Sequence, residues 1–225
     1  MWFKKYTIED LKRNMPATLH EAVRSFALHR KDFKILIIDD NEVPISSTLK
    51  SLEYVVSEEK DVKSPAEADR FDLILCDRRG VGKSLGSVSG GVFLAKKIKE
   101  RYPFKPVILY SSSKFEIDDF EAVRTLDDVI LDAPETDTFS NYVDDQVKDL
   151  LNPVLQWQKL HVELARRGFP ARYIAKLEDD YVRQLCKTGK YSFSSEMFPG
   201  LLYSAIKDLL VGFATQSIFT ILATL

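Results

Sequence analysis

Between Phe33 and Leu151 the chain alternates short, wholly apolar runs with longer segments whose apolar residues recur every three or four positions. The runs cover residues 35–38, 73–76, 107–110 and 129–131, with a weaker one at 54–56. Unbroken apolar runs of this length read as strands buried on both faces, the habit of parallel sheets, and the segments between them as crossover helices. Pro44 starts one helix bearing Ile45, Leu49 and Leu52, and Gly91 opens another bearing Leu94, Ala95, Ile98 and Tyr102. Two more helices are predicted over 116–126 and 139–151. The pattern therefore predicts an α/β domain with five parallel strands.

On either side the period is helical throughout. The first thirty residues begin with Thr7 and Asp10 at capping-box spacing, pass Pro16, and continue with Leu19, Ala22, Val23, Phe26 and Ala27 on one face. Acidic Glu9, Asp10 and Glu21 argue for a helical extension covering a neighbouring domain rather than a targeting helix. After Asn152-Pro153, a cap and a first-turn proline, one helix carries Leu155, Leu160 and Leu164 to Gly168. A second presents Ile174, Leu177, Tyr181 and Leu185. The expected organisation is a helical extension over 1–31, an α/β domain over 32–151 and a helical region over 152–225 for output or dimerisation.

Composition narrows the classes. The chain has 225 residues, 45% of them hydrophobic, and a formal net charge of −2. That bounds it to a globular protein of ordinary core size and excludes disordered, collagenous and coiled-coil chains. Cys76 and Cys186 are too few for a disulfide framework and fit a reducing cytoplasm. Seventeen residues without a charge, 209–225, are short of a membrane span and carry Gly212, Thr215, Gln216 and Ser217, so a buried or oligomer-forming helix is expected there ahead of a membrane anchor. His20, His29 and His161 have neither metal-like nor base-like spacing. The abrupt ending also fits a piece of a longer protein.

The average charge conceals segregation. Residues 78–105 hold eight basic residues against Glu100, whereas 115–150 hold twelve acids against Arg124 and Lys148. The two readings are solvated faces of opposite sign and electrostatic docking between copies or onto a partner. Glycine is clustered too: residues 1–79 have none, and Gly80, Gly82, Gly86, Gly90 and Gly91 follow at once.

In doubly wound sheets, ligands sit beyond the carboxyl ends of the strands. Here the first run ends in Asp39-Asp40, the third in Asp77, the fourth in Ser111 and the fifth in Asp132-Ala133-Pro134. Three carboxylates from two adjacent strands suit one hard cation such as Mg²⁺, and a hydroxyl at the next strand end suits a phosphoryl oxygen.

With these residues in place the chain resembles the receiver domain of two-component response regulators over about 33–151. Lys34-Ile-Leu-Ile-Ile-Asp39-Asp40 resembles its first strand with paired metal-binding acids. Phe71-Asp-Leu-Ile-Leu-Cys-Asp77 resembles its third strand with the phosphoacceptor, and Pro106-Val-Ile-Leu-Tyr-Ser111 its fourth with the phosphate-sensing hydroxyl. The resemblance implies a flavodoxin-like doubly wound five-stranded parallel sheet in the order 2-1-3-4-5. It implies phosphorylation of Asp77 with Mg²⁺ held by Asp39, Asp40, Asp77 and the backbone carbonyl of Arg79, and Ser111 contacting the phosphate. A histidine kinase or an output protein is the implied partner, with homo-oligomerisation through the acidic last third. Ala133 stands where the family has lysine, so a phosphorylation-independent pseudo-receiver is the second form of this reading, and Lys83 and Lys114 are the candidate cations on neighbouring loops to substitute for it.

The loop after Asp77 is longer, more basic and richer in glycine than in ordinary receivers. Gly82-Lys83-Ser84 invites a phosphate-loop reading, but Asp77 stands where that motif needs its first glycine. Two alternatives belong to other classes. Residues 153–190 have the outline of half a helix-turn-helix, with eight basic and four acidic residues over 159–190, which would suit a DNA-binding regulator. Glu178-Asp179-Asp180 would repel DNA where a recognition helix should start. Ile38-Asp39-Asp40-Asn41 with Ser111 partly resembles haloacid-dehalogenase-like phosphohydrolases, whose second aspartate is replaced by Asn41 or Arg79.

Overall fold

A computed structural model of the chain describes residues 6–86, 90–111, 123–124, 126, 128–131, 136–197 and 204–215. They form two compact units. One is Ala27–Val147; the other gathers the described residues of Met1–Phe26 and Lys148–Leu225.

In the first unit, β1 (Lys34–Ile38), α1 (Pro44–Ser51), β2 (Val55–Glu59), β3 (Leu73–Asp77), α2 (Gly90–Arg101), β4 (Val107–Ser111), β5 (Asp128–Leu131) and most of α3 (Thr136–Leu151) follow one another. The five strands are all parallel and lie in the order β2-β1-β3-β4-β5. This is the flavodoxin-like doubly wound arrangement expected from the sequence. The weak run at 54–56 is a strand from Val55 to Glu59, lengthened beyond its apolar residues because it borders β1 alone. An edge strand needs fewer buried side chains than a central one.

Alternation along the strands divides the core. Leu36, Ile38, Ile74, Cys76, Val107 and Leu109 meet Val92, Leu94, Ala95 and Ile98 of α2 on one face. On the other, Tyr110 meets Phe139 of α3 edge to face at 5.5 Å. A buried polar knot ties this second face together. The Asp144 carboxylate of α3 accepts from the Tyr54 hydroxyl at 2.6 Å and from Nε of Arg30 at 3.1 Å, and pairs with the Arg30 guanidinium. Burial, and then the bond to Asp144, push the Tyr54 phenol far up, while the same carboxylate raises Arg30. Asp144→Ala would strand both donors and is expected to cost roughly 2–3 kcal/mol, read as a lowered urea midpoint. An unchanged midpoint would show that the knot is solvated.

The second unit is helical: α4 (Ile8–Arg13), α5 (Ala17–Arg24), the end of α3, α6 (Pro153–Arg166), α7 (Ala171–Thr188) and α8 (Ser204–Ala214). Thr7 and Asp10 form the expected capping box, and Asn152 caps α6 ahead of Pro153. Trp157, Tyr181, Tyr191 and Phe213 build the centre, with Trp157 stacked on Tyr181 at 5.3 Å and the Tyr181 hydroxyl donating to the Pro153 carbonyl at 2.8 Å. Glu178-Asp179-Asp180 corrects the sequence reading, since all three are buried rather than displayed. Glu178 accepts from the Ile8 N–H at 2.8 Å, Asp179 from the Tyr6 N–H at 2.7 Å, and Asp180 binds Arg183 and Gln184. Glu178 thus takes a free amide of α4's first turn and Asp179 the amide that precedes its cap. Among the described residues, no helix is long and apolar enough to cross a membrane. The helix expected over 116–126, apart from 123, 124 and 126, lies outside the described residues, as do Lys114, Asp132-Ala133-Pro134 and 216–225.

Candidate functional site

The carboxyl ends of β1 and β3 are neighbours, because Ile38 is registered with Cys76. Asp39 and Asp40 therefore leave β1 beside Asp77, and oxygens of the three carboxylates lie within 4.8 Å of one another. The sequence placed these three together, and the structure does so too.

Each carboxylate is held by different donors. Asp39 continues the β1–β2 ladder through its own N–H to the Glu59 carbonyl at 3.0 Å. Its Oδ1 accepts from the Asn41 N–H at 2.9 Å and its Oδ2 from the Tyr110 hydroxyl at 2.6 Å. Asp40 accepts from the Asn41 side-chain amide at 2.8 Å, and its other oxygen lies 3.5 Å from Lys83 Nζ. Asp77 accepts from the N–H groups of Arg78 at 2.8 Å and Arg79 at 3.3 Å. Burial, joined by the charge of Asp39 and more weakly that of Asp40, pushes the Asp77 carboxyl up to about 6 against the pull of those two N–H groups. Three crowded acids with one held near neutrality form a site that a dication would relieve, so the donor set fits Mg²⁺.

Ser111 closes β4, buried, with its Cα paired to Leu131 of β5. Arg79 reaches the cluster through its N–H to Asp77. Tyr110 was not anticipated: it belongs to an apolar run, and nothing in that run marks one hydroxyl as bound to Asp39. Burial and then its bond to Asp39 push the Tyr110 phenol far above its ordinary range, so it remains a donor.

The glycine-rich segment wraps this site. Gly80 is left-handed (φ +79°), and a Cβ there would overlap the Asp40 carboxylate. Gly91 donates to the Arg78 carbonyl at 3.0 Å, and a Cβ on it would overlap the Asp77 carbonyl oxygen. Asp61, also unanticipated, accepts from the N–H groups of Gly82 at 2.6 Å and Ser84 at 3.0 Å and from the Ser84 hydroxyl at 3.0 Å. Partial burial opposes its charge, but these donors, with the Val62 N–H, hold its carboxyl below the usual range. The phosphate-loop reading fails here. The amides that would cradle a phosphate are already bound to Asp61, and Lys83 opens a three-residue 3-10 turn instead of a helix.

A doubly wound sheet in this order, with acids closing its first and third strands, defines the class of protein as an α/β domain of the flavodoxin-like kind. No protein-family model matches the chain, and no curated protein is significantly similar to it. The solved structures similar to it include many response-regulator receiver domains. A CheY-like receiver domain from Methanospirillum hungatei JF-1 is 18% identical, covering 52% of this chain and 94% of its own, with a TM-score of 0.42. The receiver domain of NtrX from Brucella abortus is 25% identical, covering 51% and 98%, with a TM-score of 0.41. A response regulator from Burkholderia pseudomallei, solved with a phosphorylated aspartic acid, calcium ion and citrate, is 21% identical, covering 64% and 91%, with a TM-score of 0.40.

Proposed function

We propose that the α/β unit is a receiver-type signalling module whose phosphoacceptor is Asp77. The observation that carries the reading is the convergence of Asp39, Asp40 and Asp77 at the carboxyl ends of adjacent strands, with the Asp77 carboxyl raised by burial and by its neighbours. Asp39, Asp40, Asp77 and the Arg79 carbonyl would hold Mg²⁺, which when bound supplies positive charge to offset the oxygens of a transferring phosphoryl group. A carboxylate oxygen of Asp77 forms a bond to the donor's phosphorus as the bond from phosphorus to the leaving atom breaks. The electron pair departs with the leaving group, and the product is an aspartyl phosphate. The N–H groups of Arg78 and Arg79 orient the carboxylate, and the buried Ser111 hydroxyl contacts the new phosphate. A histidine kinase as donor, an output protein or second copy as receiver of the signal, and partner binding by the helical unit complete the proposal.

Incubation with Mg²⁺ and acetyl phosphate is expected to add the mass of one phosphoryl group to the intact chain and nothing to Asp77→Asn. No adduct on the unsubstituted chain with any donor would leave the pseudo-receiver form. The phosphohydrolase reading is weaker because the second acid it needs two residues after Asp39 is Asn41, whose N–H and side-chain amide donate to Asp39 and Asp40 and supply no general acid. The DNA-binding reading is weaker because α7 runs unbroken from Ala171 to Thr188, so no turn follows Leu177, where a recognition helix would begin.

A further inference from the structure

The segment 80–86 after β3 is fixed more firmly than the ion pair between Lys83 and Asp40 explains. Lys83 Nζ lies 3.5 Å from an Asp40 oxygen, and its side chain is 71% exposed. Exposed pairs of this kind add little to stability. Yet the residues on both sides of Lys83 are fixed by one carboxylate, since Asp61 accepts from the Gly82 N–H, the Ser84 N–H and the Ser84 hydroxyl. Left-handed Gly82 and Gly86 bound the turn Lys83–Leu85 that carries the lysine. Gly80 lets the strand end pass against Asp40 with no side chain between. Three separate devices thus set the position of one backbone segment, and that segment carries an ammonium group to the rim of an acidic cluster.

We propose that Lys83 is the cationic partner of the phosphoryl group received at Asp77, and that Asp61 is the positioning residue that holds it there. The inference rests on the reading of Asp77 as the acceptor. A phosphoryl group on Asp77 brings further negative charge to a site that already has three carboxylates, and a charge-assisted contact from a tethered ammonium offsets part of it. The exposed side of Lys83 faces the solvent from which the donor arrives, and its four-carbon stem lets Nζ exchange Asp40 for an incoming oxygen without moving the loop. In the resting protein the same ammonium partly screens Asp40.

The probe is beryllofluoride, a phosphoryl mimic that bonds to a carboxylate, followed by fluorine NMR at saturating Mg²⁺. Mg²⁺ affinity is measured separately by calorimetry. Lys83→Gln is expected to weaken beryllofluoride binding about tenfold or more, Lys83→Arg to restore most of it, and Asp61→Ala to resemble Lys83→Gln, while Mg²⁺ affinity in Lys83→Gln stays the same or tightens. Equal beryllofluoride affinity in the unsubstituted chain and Lys83→Gln would overturn the role of Lys83 and leave the acceptor reading standing. Equal losses in Lys83→Gln and Lys83→Arg would also overturn it, because charge would not be the cause. No fluorine signal from a bound complex in the unsubstituted chain would overturn both readings together.

Discussion

Gly91→Ala is expected to destabilise the α/β unit by roughly 3 kcal/mol and to abolish Mg²⁺ binding at the acidic cluster, although alanine is the better helix former. Gly91 is the second residue of α2, where a methyl group ordinarily helps. Here the first turn of α2 is seated on the backbone of the β3 end, its N–H bonded to the Arg78 carbonyl, and the added Cβ falls on the carbonyl oxygen of Asp77. A backbone atom cannot turn aside as a side chain can. Either α2 lifts from the sheet or the Asp77 peptide rotates, and the second displaces the Asp77 carboxylate. Gly212→Ala supplies the contrast, since Gly212 lies within α8 with open space about its Cα. That substitution is expected to stabilise by up to about 1 kcal/mol. Urea midpoints followed by circular dichroism, with Mg²⁺ calorimetry on each variant, check both signs; a neutral Gly91→Ala would mean that the β3–α2 junction is looser than its geometry.

The second large effect belongs to the helical unit. Tyr181→Ala removes a wholly buried ring that touches Trp157, Tyr191 and Phe213 and leaves the Pro153 carbonyl without its hydroxyl donor. A loss of about 4 kcal/mol is expected from the cavity, and Tyr181→Phe isolates the hydrogen bond at roughly 1 kcal/mol. Trp157 lies against the missing ring, so its emission reports the same change directly. A red shift with a lowered midpoint in Tyr181→Ala is expected; unchanged emission would place the cavity elsewhere.

The parts legible in the sequence are those governed by local period and by strand ends. Apolar runs at 35–38, 73–76 and 107–110 became central strands because burial on both faces leaves no room for polar residues, and the acids closing two of them had to meet once β1 and β3 paired. Pro44, Asn152 and Thr7 were readable because caps act within four residues of themselves. What escaped was long-range and idiosyncratic. Asp61 looks like one more solvated acid among Lys60 and Lys63, and only the folded loop brings Gly82 and Ser84 to it. Tyr110 hides its hydroxyl in an apolar run. Glu178-Asp179-Asp180 misled because a run of three acids is normally displayed, and nothing near it in sequence hints that the amides of Tyr6 and Ile8 lie across from it.

The two units also differ in when they can be finished. Ala27–Val147 is one continuous stretch, so during synthesis every residue of the sheet and its acidic cluster is made before the first residue of α6. The helical unit is split: its first portion is made at the outset and must wait, through more than a hundred intervening residues, for the carboxylates of α7 that receive it. A chain cut back to Val147 would therefore keep Asp39, Asp40 and Asp77 on a complete sheet and leave the amides of Tyr6 and Ile8 without the carboxylates of α7. The α/β unit is made early, and the helical unit is completed last.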